Sequence, residues 1–216
     1  SLHDALPIWS GTLRPDCVTV DAQGRGRVFV FDDAGPGTAL VGFTIQGGRP
    51  AGGGPDTRGG AILCLRSAPR IANCIIRDSR ADRGGAIHCD EASSPTVTNC
   101  LLAGNAAIHG GAIFWAGDGG SLSDCAFRAN YAQSGGALFV QAADDLRIQT
   151  CHFLVNEAGN AGGGVYFRSC SVRLDHCLFA GNWGGLGGGA VMATGGRPHL
   201  QHCTVVANDV EFDGTA

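Results

Sequence analysis

The chain contains no lysine, and all fifteen of its basic residues are arginine. It has one methionine and two tyrosines, and only 16% of its residues are charged. A formal net charge of −4 leaves no basic stripe to meet a phosphate backbone, which excludes nucleic-acid binding. No stretch approaches the ~18 uninterrupted apolar residues of a transmembrane helix. Low charge beside 44% hydrophobic residues excludes a generic disordered chain. Neither Cys-x-x-Cys nor His-x-x-x-His occurs, so spacing points to no structural zinc site, and no metal or cofactor is expected.

Glycine is abundant, 36 of 216 residues, more than twice the usual ~7%. It clusters in doublets instead of recurring every third residue, which rules out a collagen helix. The length is that of one large domain or two small ones. The chain has no initiator methionine. Its first eight residues (SLHDALPI) match nothing downstream and read as the translated end of a sequencing adapter. Residues 1–8 are therefore set aside from the fold.

The dominant signal is an internal repeat. A glycine doublet followed by a small and then a branched residue recurs six times, from Gly59-Gly60-Ala61-Ile62 to Gly188-Gly189-Ala190-Val191. Between the doublets stand Cys74, Cys100, Cys125, Cys151, Cys177 and Cys203, at steps of 26, 25, 26, 26 and 26. Five residues beyond each come Ser79, Asn105, Asn130, Asn156, Asn182 and Asn208. An aliphatic residue precedes each cysteine by three, from Ile71 to Leu200. An apolar one follows by two: Ile76, Leu102, Phe127, Phe153, Phe179, Val205.

Leu122-x-x-Cys125-x-Phe127-x-x-Asn130 fits the strand of a leucine-rich repeat as well as a β-helix coil. The return segment separates them. It carries Gly-Gly and Ser93-Ser94-Pro95, where each Gly costs a helix ~1 kcal/mol relative to Ala and each Pro ~3. It also alternates as a strand does, with Ile87 and Cys89, Ile113 and Trp115, Leu138 and Val140 two apart. The fold class is therefore all-β: a parallel β-helix of about seven coils, with three strands per turn expected.

The Gly-Gly-Ala-Ile doublets with Phe127-x-x-Asn130, Phe153-x-x-Asn156 and Phe179-x-x-Asn182 resemble the repeats of bacterial polymorphic outer-membrane proteins. More broadly the chain resembles the right-handed parallel β-helix, or pectate-lyase-like, superfamily. Regular repeats span residues 59–216. Residues 9–58 read as degenerate opening coils, with Phe43 in the cysteine position and Gly47–Thr57 an inserted Gly-rich loop. The resemblance implies an exported or cell-surface location. It transfers no catalytic residue, because lyases, hydrolases, adhesins and inert scaffolds share this fold.

Stacking at ~4.8 Å turns each repeated position into a ladder. The aliphatic, Cys and Phe/Ile rows are expected inside. The Asn row suits a turn, since Asn tolerates left-handed backbone and its amide can bond the next coil. In-register cysteines stand ~4.8 Å apart, beyond the 3.5–4.5 Å of a disulfide, and are expected as buried free thiols.

Function is expected on the outer face. The residues after the ladder Asn are Arg80, Ala106, Tyr131, Glu157, Trp183 and Asp209. There, aromatic rings beside carboxylates could stack sugars and bond their hydroxyls; tolerant turn positions occupied without function are the bland alternative. Before the cysteines stand Asn73, Asn99, Asp124, Thr150, His176 and His202. The stacked histidines bind a metal, share a proton or continue the polar ladder that Asn and Asp begin, with Asp175 expected to face elsewhere. Asp32-Asp33 and Asp144-Asp145 read as solvated turns, and no outer row stacks three carboxylates. Three functions follow as expectations: a rod binding glycans or a host or cell-surface partner, a polysaccharide lyase or glycoside hydrolase, and a passive spacer. Because the sequence stops within a coil, self-association through exposed coil ends is expected as well.

Overall fold

A computed structural model of the chain describes residues 18–52 and 57–210. Residues 1–8, Cys17, part of the Gly-rich loop and the last six residues lie outside them. The named elements are short parallel strands stacked in four sheets of seven, seven, eight and five. Among the described residues no helix is long and apolar enough to cross a membrane. The expected parallel solenoid of about seven coils is what the chain forms.

One coil shows the plan. After the Gly110-Gly111 doublet the chain runs through Ile113–Trp115 in the first sheet and Ser121–Ser123 in the second. It passes Cys125 into Ala126–Arg128 of the third, then Asn130 into Tyr131–Ser134 of the fourth. Each strand pairs with its counterpart one coil on, as in Leu122↔Ile148 and Phe127↔Phe153. From Ala106 onward the coil thus has four strands where three were expected. The extra corner lies just before the ladder Asn. There Asp78, Gly104, Ala129, Val155, Gly181 and Ala207 take left-handed backbone, with φ of 49–64°.

That geometry corrects the expected role of the Asn row. The left-handed residue is the one before each Asn; the ladder asparagines themselves are not among the positive-φ residues. The same bend precedes each cysteine, at Asn73, Asn99, Asp124, Thr150, His176 and His202. The Asn amides do bond between coils. Asn130 Nδ2 donates to Leu102 O of the preceding coil (2.9 Å) and to Asn156 Oδ1 of the next (3.0 Å). Asn105, Asn156 and Asn182 repeat the arrangement, and all four are buried.

Inside, Ile71, Val97, Leu122, Ile148 and Leu174 form one fully buried row, and Ile76, Leu102, Phe127, Phe153 and Phe179 another. The phenylalanine rings stack at 4.8 and 4.7 Å, each pair contributing ~0.5–1.5 kcal/mol beyond area burial. Cys74, Cys100, Cys125, Cys151 and Cys177 are buried free thiols, and Cys203 is half-buried. In the last described coil the matching apolar positions Leu200 and Val205 are 41% and 56% exposed.

The glycine doublets answer to two separate constraints. The first glycine is left-handed, as at Gly110 (φ 65°). The second meets the next coil: a Cβ on Gly111 would lie 2.0 Å from Gly136 O. Only glycine lets the coils close to hydrogen-bonding distance there.

Candidate functional site

The fourth sheet brings the sequence-derived row together. Arg80, Ala106, Tyr131, Glu157, Trp183 and Asp209 stand in register on six successive coils. Tyr131 is 46% exposed, Arg80, Glu157 and Asp209 are exposed, and Trp183 is half-buried. Glycines lie beside both rings: Gly159 packs next to Tyr131 Oη and Gly185 next to Trp183 Cη2. A Cβ on Gly185 would collide with Gly159 O at 2.2 Å, so the close approach of the coils is what requires glycine there. A register shift between Ala132 and Ser134, opposite Ala158 and Ala161, accommodates an extra residue in the Glu157–Ala161 strand. Bulges of this kind bend a strand and re-aim side chains.

Beside Tyr131 lies a depression of about 390 Å³, lined by Arg49, Pro50, Arg80, Asp82 and Ile108 among others. Arg49 and Pro50 come from the Gly-rich loop, so the irregular opening coils help to form it. Thr57 of the same loop donates to Asp82 (2.6 Å) and ties its end to this face. Ile108 is 39% exposed and Leu186, just beyond the Trp183–Gly184 strand, 84%. Large apolar and aromatic side chains are thus held at the surface here, with charges of both signs beside them.

A second outward row was not singled out from the sequence. On the first sheet His88, Phe114, Phe139 and Tyr166 occupy successive coils. Their rings stack at 5.1, 5.3 and 4.9 Å. His109 packs against Phe139, and the Arg83 guanidinium lies 5.2 Å from the Phe114 ring centre. Both histidines thus have aromatic partners. The available signal was an aromatic recurring every 25–27 residues between two inward positions. Phe114 and Phe139 are only 2% and 3% exposed, so this stack is an outer core and offers no open platform. Burial, reinforced by Arg58, Arg83 and Arg27, lowers the His88 imidazole to about 3.

The second sheet carries a polar depression of about 550 Å³, lined by Asp144, Asp145, Arg147, Arg173 and Asp175 among others. Backbone amides engage Asp144 and the neighbouring Asp118. Asp118 Oδ1 accepts from the Asp144 and Asp145 amides, and Asp144 Oδ1 from that of Ser171 (2.7 Å). The other doublet, Asp32-Asp33, pairs with Arg66.

Asp175 corrects its expected orientation. Its Oδ1 lies 3.0 Å from Nδ1 of His176 and 3.0 Å from Nδ1 of His202. With the left-handed bends at His176 (φ 52°) and His202 (φ 50°), both imidazoles meet Asp175, which ends the strand just before His176 and lies one coil before His202. Hydrogen bonding from His202, with His176 adding to it, holds the Asp175 carboxyl below the usual carboxylate range. Elsewhere in this corner row Asn99 Nδ2 donates to Asn73 Oδ1 (2.9 Å), a plain polar ladder.

Comparison with the curated proteins and with the solved structures finds no match for this chain. The family described as "Right handed beta helix region" matches residues 42–210. That is well over half of the chain, and the protein belongs to the right-handed β-helix family.

Proposed function

We propose that this β-helix is an exported or cell-surface rod that binds glycans through the outer face of its fourth sheet. The observation carrying this reading is the in-register set Tyr131, Glu157, Trp183 and Asp209. It combines exposed ring surface with carboxylates and adjoins the depression bordered by Arg49, Arg80 and Asp82. A sugar ring offers an apolar C–H face to an aromatic side chain and a rim of hydroxyls to carboxylates and guanidinium groups. Side chains repeating once per coil, ~4.8 Å apart, present that combination along a line. An extended polysaccharide fits a line better than a compact ligand does.

Retention of the purified protein on insoluble polysaccharides, with assays for new reducing ends and unsaturated sugars, tests it. Retention without products, lost on Trp183→Ala, supports a binding rod. Products would instead support the lyase or hydrolase reading, for which the carboxylates and arginines of the second-sheet depression are the relevant feature. Of these, Asp144 is engaged by a backbone amide and Asp175 by two imidazoles, which disfavours that reading. Neither retention nor products would leave a passive spacer.

A further inference from the structure

We propose that Asp175, His176 and His202 form a binding site for a divalent transition-metal ion of the zinc class. The proposal is independent of the glycan-binding face, which lies on a different sheet. The donor atoms of the three residues all lie within 4.8 Å of one another. Among the described residues this is the one such cluster of three or more His, Cys, Asp or Glu.

The fold assembles the cluster from adjacent coils, which is why no His-x-x-x-His spacing announces it. Asp175 ends its second-sheet strand facing outward, His176 follows at the corner, and His202 occupies the same corner one coil later. The two imidazole rings lie 4.7 Å apart, tilted by 33°. Both turn Nδ1 toward a single carboxylate oxygen. The Asn73–Asn99 pair of the same row is joined directly by one hydrogen bond; the histidine pair converges on a third group.

The donor set selects the ion. Two imidazole nitrogens and a carboxylate oxygen suit borderline metals such as zinc, whereas calcium and magnesium prefer oxygen alone. Around a tetrahedral ion with bonds of ~2.0–2.2 Å, neighbouring donors stand about 3.3 Å apart. The two Nδ1–Oδ1 separations here are 3.0 Å and all three donors lie within 4.8 Å, so side-chain rotations of the histidines bring the set to that spacing. The histidine side chains are 63% and 57% exposed and free to make them. The ion takes the Nδ1 lone pair of each ring in its neutral Nε2–H form: a neutral ring moves its proton from Nδ1 to Nε2, and a charged one releases its Nδ1 proton to solvent. Three protein ligands leave the fourth position open to water or to an anion, at the rim of the depression that Asp175 also lines.

The test uses tag-free, chelator-stripped protein carrying Cys17→Ser, titrated calorimetrically with Zn²⁺ and spectroscopically with Co²⁺. One Zn²⁺ per chain is expected. Affinity should fall by more than ~100-fold in the His176→Gln/His202→Gln double variant, beyond the ~10–100-fold cost of changes outside the ligand sphere. Asp175→Asn should also weaken binding, while Cys203→Ser and His199→Gln leave it unchanged. Bound Co²⁺ should show the strong visible absorption of a four-coordinate ion without a thiolate charge-transfer band. Unfolding midpoints measured alongside separate lost ligation from lost fold. Absence of binding up to ~1 mM, equal affinity in the double variant, or loss of binding on Cys203→Ser would each overturn the proposal.

Discussion

Asn156 Oδ1 accepts two hydrogen bonds from Asn130, one from its backbone amide and one from its Nδ2, each 3.0 Å long. Asn156 Nδ2 in turn donates to Phe127 O at 3.0 Å. Asn156 Nδ2 also donates to Asn182 Oδ1 at 2.9 Å, so one side chain makes four buried hydrogen bonds, and the same pattern recurs at Asn130 and Asn182.

Asn156→Ala removes all four bonds: Asn130 Nδ2 keeps Leu102 O and Asn182 Oδ1 keeps the Asn156 amide, while the buried Asn130 N–H and Phe127 O lose this partner. Each unpaired buried group costs ~1–3 kcal/mol, so a loss of about 2 kcal/mol or more is expected. Asn208, half-buried in the last described coil, should cost about 1 kcal/mol when truncated. Urea unfolding midpoints of the two variants check the difference, and equal losses would contradict the ladder.

Backbone strain gives substitutions of opposite sign. Val155 is β-branched, 53% exposed and held at φ 49°, a conformation that costs an L-residue ~1–2 kcal/mol. Val155→Gly should raise stability by up to about 1 kcal/mol after the glycine's greater freedom when unfolded is subtracted. Gly111→Ala should lower it by ~1–3 kcal/mol, because its Cβ would press on the Gly136 and Tyr131 carbonyl oxygens. Thermal melts of both variants are the measurement.

The inward half of this molecule was readable because stacking forces each inward position to repeat. Cys125, Phe127 and Leu122 recur in kind every 25 or 26 residues, and the glycine doublets mark where coils touch. Outward positions have no such constraint. The registration of Tyr131, Glu157 and Trp183 could be derived, since it needs only the repeat count. The ring geometry and the wall contributed by Arg49 could not, since they depend on a bulge and an irregular loop. Asp175 was misjudged for a local reason. Strict strand alternation predicts divergence from His176, but the left-handed corner at His176 brings the two side chains back together.

Acid should weaken the fold through His88. The native imidazole stays neutral down to about pH 3, whereas the unfolded one takes a proton near 6.5. Below pH 6.5 the unfolded chain therefore binds the extra proton. Stability falls by up to ~1.4 kcal/mol per pH unit as pH drops toward 3. His109 and His152, also lowered by burial, act in the same direction. His88→Phe extends the Phe114–Phe139 stack and removes a buried Nδ1 that has no partner. Its stability should depend on pH less steeply by about one proton, as urea titrations from pH 7 to 4.5 would show.

Thiol reactivity should follow burial. Burial pushes the Cys177 thiol up to about 12 and that of Cys170 to about 11, and the thiols of Cys89, Cys100 and Cys125 are raised as well. In Cys17→Ser protein at pH 8, a chromogenic disulfide should label Cys203 first, and the eight buried thiols only as the chain unfolds. Fast labelling of several thiols in the native state would contradict the packed cysteine rows.

The central functional claim is met most directly by tryptophan fluorescence. Trp115 is fully buried and Trp183 only half-buried. In Trp9→Phe protein, changes on adding ligand therefore report mainly on the fourth-sheet face. Titration with soluble oligosaccharides of a retained polysaccharide should shift and saturate the emission, and both Trp183→Phe and Tyr131→Ala should abolish or weaken the response. An unchanged emission spectrum while the protein still binds the polysaccharide would place the contact elsewhere and contradict the proposed face.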